Sequence, residues 1–211
     1  MADWATISSL ATAGGTLVLA FATYASVRSA NRAARTAEWA LQVGMRPLLT
    51  PSRLEDPPER MMWGDQHWAE VQGGRAYVEI VDDRIYLAMS LRNAGSGIAV
   101  IQGWHIVMER LSPERHHSEP EDFTSQMRDL YVPAGDVGFW QTGLRDPNDP
   151  IHEHVRQAIE EPRLFSVELL YTDHEGGQRT VSWFSIAPRE DETQWLASVV
   201  RHWNLDRPDP R

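Results

Sequence analysis

If this chain does chemistry, the histidines set beside carboxylates are the first place to look. Five of the eight histidines stand this way: His116 and His117 before Glu119 and Glu121, His152 and His154 around Glu153, and His174 between Asp173 and Glu175. Imidazole nitrogen with carboxylate oxygen is a donor set that suits zinc. The spacing argues against it. His152 and His154 are two apart in a segment that reads as helical, so they leave on different faces, and no His-Glu-x-x-His run occurs. Residues 112–121 read as a solvated acidic loop. The absence of cysteine removes thiolate ligands, thiol nucleophiles and disulfides together. No serine sits in a Gly-x-Ser-x-Gly elbow. Gly95-x-Gly97 could suggest a phosphate cradle, but a dinucleotide fingerprint needs a third glycine and a following helix. The residues therefore predict no catalytic group, no cofactor and no metal site, and a protein that is not an enzyme.

The nine tryptophans point to binding instead. Trp104 and Trp183 fall inside strand-like runs and read as core. Trp63, Trp68, Trp140 and Trp203 lie in or beside loops with polar neighbours, where an exposed indole can anchor a partner, so these four are the expected partner surface.

The N-terminal element would set where such a surface is held. From Trp4 to Val27 no ionisable group interrupts the chain, and Arg28, Arg32 and Arg35 follow. Twenty-four helical residues span about 36 Å, against a hydrocarbon core of about 30 Å. This predicts a transmembrane helix with a juxtamembrane stalk over residues 1–46, diluted by Ser, Thr and the pair Gly14-Gly15. Trp4 and Tyr24 fit interfacial aromatic belts. The three arginines place the C-terminal side in the cytoplasm and the short N-terminus outside, as a single-pass protein of the inner membrane. A signal peptide would carry its basic residues before the apolar run, not after it. Ala13, Thr16, Ala20, Thr23, Val27, Ala30, Ala34 and Ala37 repeat with alternating gaps of three and four, a small-residue seam suited to helix self-association and so to a homo-oligomer.

Residues 47–64, with four prolines, read as a connector, and 65–211 as a β-domain. Arg75–Val81 and Arg84–Asn93 flank Asp82-Asp83, a hairpin signal, and Ile85, Leu87, Met89 and Leu91 share one face. Ile98–Met108, Leu130–Val132, Val137–Thr142, Leu164–Thr172 and Arg179–Ile186 read as further strands, and Trp195–Trp203 fits either a last strand or a helix, with strand favoured. One helix interrupts them, capped by Asp149 and Pro150 and ended by Pro162. Short strands with Gly/Pro turns indicate an antiparallel sandwich. Leu91-Arg92-Asn93-Ala94-Gly95-Ser96-Gly97-Ile98-Ala99 resembles the L-x-N-x-G-x-G-x-A strand–turn of bacterial single-pass membrane-anchored proteins of unknown function. Val132-Pro133-Ala134-Gly135 and the turn from Tyr171 to Gly177 are similar to later turns of the same proteins. That resemblance implies an N-terminal span and stalk before an immunoglobulin-like β-domain, and it brings no catalytic residues.

Charge narrows the partners. All 20 basic residues are arginine, and from Arg53 onward 16 of them face 28 acidic residues, whereas residues 1–52 hold four arginines and two acids. An acidic domain excludes nucleic acid, whose binding needs clustered positive charge. The favoured reading is a scaffolding or protein-interaction module attached to the lipid bilayer, with an unidentified protein partner. The alternatives are a ligand- or metal-responsive sensor using residues 112–121, and a soluble protein whose N-terminal helix mediates assembly.

Overall fold

The computed structural model describes residues 4–107, 112, 114–189 and 194–206, with the backbone alone at 4–11 and 42–43. The chain divides into two compact units, Met1–Gly44 and Met45–Arg211.

The first unit is one helix, α1 (Trp4–Gly44), running unbroken through the span and stalk expected from the sequence. Alanine, leucine and arginine favour it, and Pro47 lies just beyond its end. Its side chains from Thr12 to Leu41 are all exposed. Thr16 and Thr23 return their hydroxyls to the carbonyls of Thr12 and Leu19, at 2.8 and 2.7 Å. Among the described residues no helix is long and apolar enough to cross a membrane. The expected span of residues 4–27 therefore lacks that support, and the cause is dilution by Thr12, Gly14, Gly15, Thr16, Thr23 and Ser26. The side chain of Trp4, expected in an interfacial belt, lies outside the described residues.

The second unit is mainly β and antiparallel. Its sheet holds nine strands: β1 (Leu49–Pro51), β4 (Arg75–Val81), β5 (Arg84–Asn93), β6 (Ala99–Val107), β7 (Thr124–Val132), β8 (Val137–Leu144), β9 (Phe165–Thr172), β10 (Thr180–Ala187) and β11 (Trp195–Asn204). A separate hairpin, β2 (Glu59–Met62) with β3 (Trp68–Val71), lies within and beside the expected connector. The strand order β5-β4-β11-β10-β9-β6-β7 curls into a half-barrel, with β8 on the other edge of β5 and β1 beside its end. The expected two-sheet immunoglobulin-like sandwich is not confirmed: β4 and β11 join the two halves into one curled sheet through the pairs Ala76–Trp195 and Arg75–Leu196.

Sequence alternation explains the interior. Ile85, Leu87, Met89 and Leu91 of β5 meet Phe165, Val167, Leu169 and Tyr171 of β9, with Trp104, Trp140 and Phe184 among them, all buried. Helix α2 (Pro150–Glu160) adds Val155 and Ala158 to this core, and the carboxylate of Asp149 accepts the Ile151 amide at 2.9 Å as its N-cap. The β2–β3 hairpin covers the outer face of β5 with Met61, Trp63 and Val71 against Tyr86 and Ala88. On the outer face of β9–β11, Trp183 stacks on Trp203 with Leu170 and Val181 beside them.

Candidate functional site

The half-barrel is open along one seam. β7 pairs with β6 on one side and β8 with β5 on one side, and among the described residues no ladder joins β7 to β8. The two strands are adjacent in sequence, joined by the turn Pro133–Asp136, in which the Asp136 amide donates to the Pro133 carbonyl at 3.2 Å and Gly135 takes a φ of +74°. Away from that turn they part, and a groove of about 510 Å³ opens between them. Trp104 of β6 forms its floor, Leu130 and Arg128 its β7 wall, Thr142 its β8 wall, and Met62 and Trp63 its rim. That volume falls in the range of ordinary ligand sites.

Local bonds fix the rim. Trp63 donates its indole N–H to the Thr142 carbonyl at 2.8 Å, and Gln141 donates its amide to the Met62 carbonyl at 3.1 Å. Behind Trp63, His67 stacks on Tyr86 with ring centroids 4.0 Å apart, and the Tyr86 hydroxyl donates to Asp65 at 2.7 Å. That hydroxyl, helped by Arg145 nearby, holds the Asp65 carboxyl below its ordinary range. Burial, with Glu79 accepting a hydrogen bond from it, pushes the Tyr77 hydroxyl up.

The four tryptophans expected to form a partner surface are not brought together. Trp140 is fully buried in the main core, Trp203 is buried against Trp183, and Trp63 is buried under the hairpin with only its edge at the groove. Trp68 alone is exposed, at 64%. The cause differs by residue: Trp140 and Trp203 are strand residues at buried positions, as suits large apolar rings, and Trp63, in the β2–β3 turn, folds over Tyr86. On α1, Ala13, Thr16, Ala20, Thr23, Val27, Ala30, Ala34 and Ala37 are exposed along with Arg28, Arg32 and Arg35.

The histidines do not converge. His152 is buried beside the Asp83 carbonyl at 2.7 Å, His117 meets the Ser118 carbonyl at 2.8 Å, and His116, His154 and His174 are exposed in separate places. Among the described residues no group of three or more metal-ligating side chains is close enough to hold an ion. Gly95-x-Gly97 cradles the chain itself: Ser96 and Ala94 donate to the carbonyls of Arg46 and Leu48 at 3.0 and 2.8 Å. A Cβ on Gly97 would stand 1.7 Å from the Met45 carbonyl oxygen, so the loop needs glycine for close approach of that strand.

One arrangement escaped the sequence reading. Ser182 Oγ lies 2.6 Å from His202 Nδ1 and 2.8 Å from the Tyr171 hydroxyl, which in turn accepts the Leu49 amide at 3.2 Å. A serine beside a histidine is the start of a nucleophile–base pair. Ser182 and Tyr171 are fully buried, however, and burial pushes the Tyr171 hydroxyl up, so the chain of bonds ties β1 to β9, β10 and β11 out of reach of substrate. Nothing in the spacing of residues 171, 182 and 202 marks them in advance. The groove residues Arg128 and Arg145 escaped for the same reason.

No protein-family model matches this chain, and no curated protein matches it. Among solved structures, the crystal structure of a protein from Archaeoglobus fulgidus is similar over 62% of this chain and 93% of that one, at 12% sequence identity and a TM-score of 0.26.

Proposed function

We propose that the chain is a membrane-attached, non-enzymatic interaction module, in which α1 holds an acidic β-domain at the bilayer. The observation that carries the attachment is the set Leu17, Val18, Leu19, Phe21, Tyr24 and Val27, each more than half exposed. At 100° per residue these side chains surround the helix instead of lining one stripe, and a helix that is apolar all round needs cover on every side. Each exposed square ångström of such surface forgoes about 25 cal/mol, and lipid can cover a whole circumference where one partner helix covers one face. The hydroxyls that lower the hydropathy of the segment are compatible with lipid, because Thr16 and Thr23 already bond back to the helix. The arginines at 28, 32 and 35 then put the domain on the cytoplasmic side of an inner membrane. Self-association through the seam from Ala13 to Ala37 belongs to the same proposal.

An immunoglobulin-like ancestry for the β-domain is the finer part of this reading. The narrow β4–β11 junction supports it, since parting the sheet there leaves β1, β4, β5 and β8 facing β6, β7, β9, β10 and β11. The test of the attachment is alkaline-carbonate extraction of membranes from cells making the full chain. Retention in the pellet is the expected result. Release into the supernatant would sink the attachment and make α1 an assembly helix.

A further inference from the structure

We propose that the open seam between β7 and β8 receives an extended, carboxylate-bearing segment of a partner protein, which adds to the free edge of β7 as a further strand. This rests on the interaction-module reading above and names the class of partner.

The first support is the state of β7. Its ladder with β6 pairs Leu130 with Ile101 and then resumes at Ser125 with Gly103, so Gln126–Asp129 are skipped. These four residues stand against the single residue Gln102 as a bulge, and among the described residues β7 has no ladder on its side away from β6. An edge without a neighbouring strand is the basis of recognition by strand addition. Bulges and charges also serve to blunt an edge against unwanted pairing. The groove separates the two roles. A blunted edge turned to water needs no receptor for the incoming side chains, whereas this edge borders about 510 Å³ floored by Trp104 and Leu130. An added strand would send alternate side chains inward to that floor and outward past Met127, which is 97% exposed on the rim.

The second support is charge. Among the described residues the groove is lined by Arg128 and Arg145 and by no aspartate or glutamate, in a stretch of chain where 28 acids outnumber 16 arginines. Arg145 leans toward Asp65 at 3.6 Å, outside the lining, and Arg128 is exposed. Guanidinium groups hold carboxylates through paired hydrogen bonds, so the incoming segment carries Asp or Glu at alternate positions. A second copy of this chain would bring the same arginine-bearing edge to the seam, and the like charges favour a different, acidic chain.

The experiment selects random dodecapeptides, displayed on phage, against the full-length chain in detergent micelles. Enriched sequences are then synthesised and titrated against the wild type, against Arg128→Glu, and against Arg128→Glu/Arg145→Glu. Enrichment of acidic, proline-poor peptides is expected, with affinity falling about tenfold or more on reversing the charges. N-methylation of alternate backbone amides in the peptide should abolish binding in one register and spare it in the other. Arg128 is exposed, so the single variant keeps its thermal transition and its binding loss reports on the groove. No enrichment, binding indifferent to Arg128, or binding indifferent to N-methylation in both registers would overturn the inference. Met127→Cys introduces a single cysteine, and rapid disulfide dimerisation in micelles would show that a second copy fills the seam, which also overturns it. Carbonate extraction is independent of all these arms: a pelleted chain that selects no peptide loses the groove and keeps the attachment.

Discussion

Asn93 concentrates in one side chain what the turn motif around it was read to mean. Its carbonyl oxygen accepts the amides of Leu48 and Gly95, both at 3.0 Å, and its amide donates to the carbonyls of Gly97 and Val132, at 2.6 and 3.0 Å. It is fully buried, and it ties the start of β1, the β5–β6 turn and the end of β7 together. Asn93→Ala strands two buried carbonyls and two half-buried amides at once, so the urea midpoint of the full chain should fall by the equivalent of about 3 kcal/mol or more. A loss under about 1 kcal/mol would mean that water replaces the side chain. The motif was legible as turn chemistry because Asn and Gly have local reasons to be there. The long-range bonds to Leu48 and Val132 were not legible, since they depend on which strands become neighbours. Asp56 illustrates charge at the same scale. Arg92 donates to it from Nε at 3.0 Å and also from a terminal nitrogen, and this holds the carboxyl below its ordinary range. A carboxyl with a depressed folded pKa gives stability that is complete above about 3.9, its unfolded value, and disappears as pH falls through the folded value. Arg92→Gln should therefore lower stability at neutral pH by more than it does at about pH 2. Equal losses at both, measured by urea titration, would place Arg92's contribution in packing and in its bond to the Gly135 carbonyl at 2.7 Å.

At the scale of elements, alternation was a good guide wherever a strand had one face in the core. β4, β5, β9 and β10 lie within a residue or so of their expected bounds, and α2 starts and stops at its cap and proline. The reading failed for short strands near prolines. Glu59–Met62 and Trp68–Val71 make four-residue strands whose pattern is too brief to establish a period, and the hairpin exists because it covers the outer face of β5. Trp63, expected as a partner anchor, is the ring that covers Tyr86, edge-on at 5.2 Å between centroids. Two substitutions separate the hairpin from the seam. Trp63→Ala should cost about 3–5 kcal/mol in a denaturation measurement, as buried tryptophans do. Met127→Ser, on the unladdered part of β7, should change stability by about 0.5 kcal/mol or less while weakening any peptide held at the groove. Should Met127→Ser destabilise as much as Trp63→Ala, residues 126–129 would be part of the packed domain and not a free edge.

At the scale of the whole molecule, a long helix and an acidic β-domain are separate compact units, and the covering of the helix is the question for experiment. Two separate compact units can answer separately to mutation. Leu19→Arg/Phe21→Arg places two charges in the middle of the uncharged run, at a cost of about 2.5–3.5 kcal/mol each if that run lies at the centre of a bilayer. The prediction is a chain released from membranes by carbonate, whose urea transition, followed by the fluorescence of buried tryptophans such as Trp140 and Trp183, keeps its midpoint. A helix that instead packs along one seam in water would respond differently. Residues 19 and 21 lie off the line from Ala13 through Thr16, Ala20 and Thr23, so the same substitutions would leave such an oligomer intact, whereas Ala20→Leu would disrupt its close approach. Lipid cover predicts sensitivity to charge all round the helix and tolerance of the larger leucine side chain. A small-residue seam predicts the reverse, and the pair of variants decides which surface of α1 does the holding.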